Sequence, residues 1–368
     1  MPPNLIIRAG PRAAAHIRAH GLRPRDVGVI PGAAGGPKAL GIIGLDQALF
    51  ADWLRRDDAA APRVRHLVGA SIGAWRFASA TRNDPAQALR AFGAAYTRQR
   101  YPRNPGKDLI SQSARVMMQE LFGGNEAEVL GNPHYRLSVL AVRGLGMLQR
   151  ESRAGTAAGF AAAAVANAVG RRHLRHFVAR TVFHDPRESA AFLAGLGEGD
   201  GAKPFDAFDT TLVPLSPENL ERALVASASI PLVLEGVAGI PGAPPGTYWD
   251  GGIIDYHLHL PYHRSEGLVL YPHFIDRIIP GWLDKVLPWR TARGAWLDNV
   301  VLVAPSPDYL AGLPYGKLPD RKDFRRFEGD DAAREAYWMK AMGESERLGE
   351  EFLRLVEGGG IVERLRPL

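Results

Sequence analysis

Apolar residues occur along this chain in two rhythms. Short continuous runs at 26–30, 64–68, 137–142, 178–183, 267–271 and 299–304 are bounded by glycine, proline or charge. Their length and β-branched content fit strands buried on both faces. Elsewhere apolar positions recur at helical spacing. Leu40, Ile43, Leu45, Leu49 and Leu54 mark a long helix with Pro37 in its first turn, where the missing N–H is harmless. A helix is expected over 217–229, with Ser216 as its cap, and a long charged amphipathic one over 330–356. Residues 85–200 are helical in pattern apart from the two strand candidates they carry. Alternation of this kind argues for a parallel or mixed sheet covered by helices.

Composition bounds the reading without deciding it. The 368 residues are enough for two or three domains, or for one large α/β domain with insertions, and 46% hydrophobic residues suffice for a sizeable core. The absence of cysteine excludes disulfides, thiolate catalysis and cysteine-zinc sites. The N-terminal residues lack the basic-then-apolar order of a secretory leader, and no apolar run approaches the roughly 20 residues of a membrane span. A soluble cytoplasmic protein is the expectation. A net charge of +6 permits attraction to anionic membranes or nucleic acid, but the basic residues are dispersed. Transient contact with an anionic membrane therefore stays open, and no nucleic-acid partner is expected. One segment, 154–169, is almost entirely alanine, glycine and valine and is followed by Arg171-Arg172-His173-Leu174-Arg175-His176. It reads either as a membrane-contacting helix beside a basic patch or as a packed core helix with a solvated end. Alanine's weak apolarity favours the second.

The chemistry concentrates at a few places. Gly69-Ala70-Ser71-Ile72-Gly73 follows a strand and precedes a helix-forming run, the context in which Gly-x-Ser-x-Gly forms a nucleophile elbow. Gly69 and Gly73 remove Cβ atoms from a tight bend. Gly32-Ala33-Ala34-Gly35-Gly36 lies between a strand and a helix. Its spacing fits neither dinucleotide nor triphosphate loops, since Lys38 is followed by alanine. The N–H groups of Gly35 and Gly36, with that of Ile72 after the nucleophile, suit an oxyanion hole. Tyr248-Trp249-Asp250-Gly251-Gly252 puts a carboxylate at a strand end, where Asp250 suits a base for the serine, although Asp-Gly is also an ordinary turn. Ala226-Ser227-Ala228-Ser229-Ile230-Pro231 ends a helix in small residues and says little by itself.

In this order the four anchors resemble the patatin-like phospholipase family, across roughly residues 27–260. The resemblance implies a three-layer α/β/α patatin-like fold with a mostly parallel central sheet. It implies a catalytic unit over 20–305, with a helical insertion at about 85–200, and a C-terminal helical extension over 306–368 packed on it. It also implies hydrolysis of acyl esters, usually lipids, through an acyl-enzyme, with no cofactor and no metal. Ser71 would be the nucleophile and Asp250 the base of a dyad without histidine. Gly35, Gly36 and Ile72 would hold the oxyanion, and Lys38 occupies the basic position after the glycines. Gly69, Gly73, Gly251 and Gly252 would shape the turns. Departures lie at Ala33, Ala34 and Ala39, and in 253–261, which lacks the family's asparagine before proline.

Two rivals remain within reach of the same residues. His257, His259 or His263 could complete a Ser-His-Asp esterase, or bind metal, although ordinary structural histidines are the simpler reading. The chain could also be a catalytically weak protein that binds lipid or a partner. Trp282, Trp289 and Trp296 read as core, or as an apolar channel or interfacial belt.

Overall fold

A computed structural model describes residues 2–56, 63–197, 206–292 and 294–368. The short apolar runs are strands, and all belong to one sheet of 11 strands. In chain order they are β1 (Leu5–Ala9), β2 (Val27–Gly32), β3 (Arg65–Ala70), β4 (Tyr135–Gly144), β5 (Val178–His184), β6 (Thr210–Pro214), β7 (Val237–Ala238), β8 (Thr247–Asp250), β9 (Leu268–Pro272), β10 (Val300–Pro305) and β11 (Leu365–Pro367). Nine run across the sheet as β11-β1-β10-β9-β2-β3-β4-β5-β6, and the β7–β8 ribbon joins at β4. The central strands β10, β9, β2, β3 and β4 are mutually parallel. Helices flank this sheet in the expected three-layer α/β/α arrangement. β2, β9 and β10 are buried at every residue, which is why their sequences show no alternation.

One register decides where the chemistry can happen. β3 runs along one edge of β4 and ends with Ala70 opposite Leu140. β8 continues along that edge in the opposite direction, with Asp250 opposite Ala141. The other edge of β4 is occupied by β5 from Ser138 to Gly144. The two strand ends therefore meet head to head, and the residue after Ala70 arrives beside Asp250. Gly251 is required at this junction, because a Cβ there would lie 2.1 Å from the Leu140 carbonyl oxygen.

Several expectations need correction. Residues 85–200 are not a helical insertion. β4 and β5 lie within them and are members of the sheet, and the last residues of the range, 198–200, fall outside the described residues. The 20–305 unit is drawn too narrowly, since β1 and β11 form one margin of the same sheet. The C-terminal segment is helical but ends in a strand. The long helix after Pro37 is instead a 3-10 segment (Gly36–Ile42), an α-helix (Ile43–Gln47), a π-turn (Ala48–Asp52) and a further 3-10 turn. Gly44 explains part of this. Its N–H donates to Ser345 Oγ at 2.8 Å, and a Cβ there would strike the Ser345–Glu346 backbone at 2.4 Å. The same contact marks the break of the expected 330–356 helix into Asp331–Glu344 and Glu346–Glu357. The alanine-rich helix, Arg153–Val169, buries Thr156, Gly159, Ala163 and Asn167 and exposes alanines and valines on its other side. It is thus not a core helix.

The helix Ile72–Ala80 is buried throughout and carries Arg76 into the interior. Arg76 donates to both carboxylate oxygens of Asp46, at 2.5 and 2.6 Å, with neither side chain reaching solvent. Removing one partner strands the other charge. Arg76→Ala is expected to destabilise the fold by about 3–5 kcal/mol. Urea unfolding checks this, and an unchanged midpoint with an unchanged slope contradicts it.

Candidate active site

Ser71 occupies the bend between β3 and the helix Ile72–Ala80, with φ +55° and ψ −129°. Non-glycine residues seldom adopt such a conformation, and it costs of order 1–3 kcal/mol unless surroundings enforce it. Here they do. A Cβ on Gly73 would lie 2.0 Å from the Gly32 carbonyl oxygen, and one on Gly69 would lie 2.6 Å from the Ala74 backbone. The glycines let the bend pack directly on the end of β2. The Ser71 N–H donates to Ser227 Oγ at 2.8 Å, and that hydroxyl donates to the Leu140 carbonyl at 2.6 Å.

Ser227 therefore gives the small-residue segment a purpose that its sequence alone does not disclose. It sits at the end of the helix Pro217–Ala228, next to both strand ends. Its carbonyl also accepts from Gly251 N–H at 3.1 Å, and the Ser229 carbonyl accepts from Asp250 N–H at 2.9 Å. A single helix end thus holds Ser71 and Asp250 by their backbones.

Between the side chains, Ser71 Oγ donates to Asp250 Oδ2 at 2.8 Å. The other carboxylate oxygen accepts from Gly252 N–H at 2.7 Å, which fixes the rotation of the group. Both residues are buried. Burial holds the Asp250 pKa above the ordinary carboxylate range, against the opposing pull of Arg321 and of the bonds from Gly252 and Ser71. A raised pKa makes the carboxylate a better proton acceptor from the serine.

The glycine loop reaches the same place. The Ala34 N–H donates to the Tyr256 carbonyl at 2.9 Å and anchors it. A Cβ on Gly35 would enter the Phe274 ring at 2.5 Å, and Gly36 has φ +58°, so both positions require glycine. Among the described residues, no protein acceptor is seen for the N–H groups of Gly35, Gly36 and Ile72. The segment after the loop is 3-10 rather than α-helical, so these local N–H groups, more than a long helix dipole, are what the site offers an anion.

Two cavities meet at the pair. One, of about 380 Å³, is lined by Gly36, Ser71 and Ile72 and by apolar side chains including Trp75, Tyr96 and Phe324. The other, of about 400 Å³, is lined by Gly35, Asp250 and Gly252 together with Lys38, Lys285 and Arg321. Arg321 and Ile230 line both. Arg321 and Phe324 come from the C-terminal segment, whose sequence carries only an undistinguished basic-aromatic run at 321–327.

The histidines stand elsewhere. His257 is fully buried, with Nδ1 accepting from Ile279 N–H at 3.0 Å, and burial depresses its pKa. His259 packs on Trp296, and burial lowers its pKa to about 4. His263 is placed on a 3-10 turn. Among the described residues, no histidine hydrogen-bonds Ser71 or Asp250 and no group of three metal-ligating side chains occurs. The three tryptophans do not form one channel, since Trp282 lines the cationic cavity, Trp289 faces solvent and Trp296 packs on His259. No helix among the described residues is long and apolar enough to cross a membrane. Compared with known proteins, the chain matches no family model and no curated relative.

Ser227→Ala leaves the buried Ser71 N–H without its acceptor. A loss of about 1–3 kcal/mol in unfolding free energy is expected. Wild-type unfolding would mean that this hydroxyl does not hold the elbow.

Proposed function

We propose that this protein is a serine acyl hydrolase of the patatin-like kind, acting on carboxylic esters and probing lipids first among them. The observation that carries this reading is the 2.8 Å bond from Ser71 Oγ to Asp250 Oδ2, on a serine held at positive φ beside an apolar cavity. Asp250 takes the Ser71 proton as Oγ attacks the acyl carbonyl. The Gly35, Gly36 and Ile72 N–H groups are the proposed donors to the oxyanion. Collapse expels the alcohol, which takes the proton from Asp250, and leaves the acyl group on Ser71. Water then attacks, giving its proton to Asp250, and the acid departs as that proton returns to Ser71. The acyl chain lies in the Trp75–Tyr96–Phe324 cavity. This chemistry needs no cofactor.

Hydrolysis of 4-nitrophenyl octanoate tests the assignment. Ser71→Ala is expected to abolish turnover, and Asp250→Asn to lower kcat by about 10³–10⁴-fold. His259→Ala is expected to retain wild-type turnover; loss there with retention in Asp250→Asn favours a Ser-His-Asp esterase. A folded wild type with no turnover on any ester favours the binding-protein reading. The raised Asp250 pKa also sets a sign. Its carboxylate is the active form, so kcat/KM falls as pH drops through that pKa, above the ordinary value of about 3.9. An activity that holds down to the ordinary carboxylate range contradicts it.

A peripheral membrane contact, from a cytoplasmic protein, belongs to the same reading. The exposed side of the helix Arg153–Val169 is alanine and valine, with Val169 at 79% exposure. Arg290 donates to the Ala168 carbonyl at 3.2 Å, bringing Trp289, 73% exposed, to that helix end. Arg172 and Arg175, both exposed, follow closely. Apolar side chains beside arginines suit an anionic lipid surface. Co-sedimentation with phosphatidylserine vesicles is expected to weaken in Trp289→Ala and as salt rises. Binding that is absent, or indifferent to both, contradicts the contact.

A further inference from the structure

The buried tyrosines of this fold divide by what their hydroxyls do. Tyr248, Tyr262 and Tyr271 each donate to a main-chain carbonyl, at 2.6, 2.8 and 2.9 Å. Tyr256 is also buried, yet among the described residues its hydroxyl has no partner. Nor is that hydroxyl enclosed. It keeps solvent-accessible surface, and the side chain lines the cavity that holds Asp250. The ring is fixed in place. It stacks on His257, 4.3 Å between centroids, and Lys285 Nζ lies over it at 5.1 Å. Its edge lies against Gly252: the point where a Cβ on Gly252 would stand is 3.5 Å from Tyr256 Cδ2 and 2.9 Å from Asp250 Oδ1. The Tyr256 carbonyl accepts from Ala34 N–H at 2.9 Å. One residue thus touches both the turn that carries Asp250 and the glycine loop. It belongs to 253–261, the segment in which this chain departs from the patatin-like pattern.

With the acyl chain in the apolar cavity, the alcohol half of the ester falls on the Asp250 side. We propose that Tyr256 is a further catalytic residue, its phenol donating a hydrogen bond to the alcohol oxygen as the bond from that oxygen to the acyl carbon breaks. This role rests on the hydrolase reading. The electron pair of the broken bond stays on the departing oxygen. The proton that completes the alcohol comes from Asp250, and the phenol keeps its own. A fixed donor at an oxygen gaining negative charge stabilises the transition state more than the bound ester. The phenol is suited to remain a donor. Burial, opposed by Arg321 and reinforced by Asp250, raises its pKa to about 12. The donor matters most for esters of aliphatic alcohols, whose alkoxides are poor leaving groups.

Two esters with the same acyl chain isolate this role. 4-Nitrophenolate leaves as a stabilised anion, whereas ethoxide needs a donor. Tyr256→Phe keeps the ring and its packing and removes only the hydroxyl. It should lower kcat/KM for ethyl octanoate about tenfold more than for 4-nitrophenyl octanoate, the worth of one hydrogen bond to a charged oxygen. A merely structural tyrosine moves both esters alike, so equal losses, or no loss on either, overturn the proposal. Tyr96→Phe checks the direction. The Tyr96 hydroxyl also lacks a partner among the described residues, but it lines the acyl cavity. That substitution should change both esters in the same proportion. A leaving-group dependence at Tyr96 in place of Tyr256 puts the alcohol in the other cavity and overturns the assignment. Wild-type protein that cleaves neither ester removes the hydrolase reading and the role of Tyr256 with it. Wild-type cleavage with equal losses in Tyr256→Phe removes that role alone.

Discussion

Two strand ends that meet on one edge of β4 govern this molecule. β3 arrives from one side and stops at Leu140; β8 arrives from the other and stops at Ala141. Everything chemically interesting is a consequence of that junction. Ser71 must turn sharply because the edge ahead is occupied, and Asp250 is already there when it turns. The helix end at Ser227 and Ser229 closes the junction with three backbone bonds and one to the Leu140 carbonyl. Glycine appears wherever a side chain would intrude, at Gly73 against Gly32 and at Gly251 against Leu140. The strain of Ser71 is therefore supported by a network that does not itself react.

Charge is divided in a way that follows from burial. Arg76, Arg180 and Arg334 enter the interior with a carboxylate, since an unpaired buried charge is costly. In the cationic cavity Lys38 is half-buried and Lys285, Arg321 and Lys322 are exposed, beside the carboxylates Asp250 and Asp320. Beside it the apolar cavity offers aromatic and aliphatic walls. The two cavities meet where Ser71 is hydrogen-bonded to Asp250 and Arg321 lines both.

Much of this was legible from local sequence. Ser71 and Asp250 stand out because nucleophile elbows and strand-end aspartates are written in a few adjacent residues. The buried strands stand out because parallel strands covered on both sides have no polar face. What escaped reading depends on distant parts of the chain. Ser227 becomes meaningful only beside Leu140 and Ser71. Arg321 and Phe324 reach the site from a C-terminal segment that has no motif of its own. The helix after Pro37 was misjudged because its apolar spacing is helical, whereas Gly44 brings it against Ser345 and the chain tightens and loosens to fit. β1 was missed because a five-residue strand at the start of a chain shows little pattern until β10 and β11 flank it.

Labelling with a fluorophosphonate, followed by peptide mapping, goes most directly to the heart of the account, because it asks whether one serine among many is activated. The expected result is a single adduct on Ser71, absent in Ser71→Ala and slow to form in Asp250→Asn. A well-folded protein that takes no label, or takes it on another serine, would contradict a Ser71–Asp250 dyad.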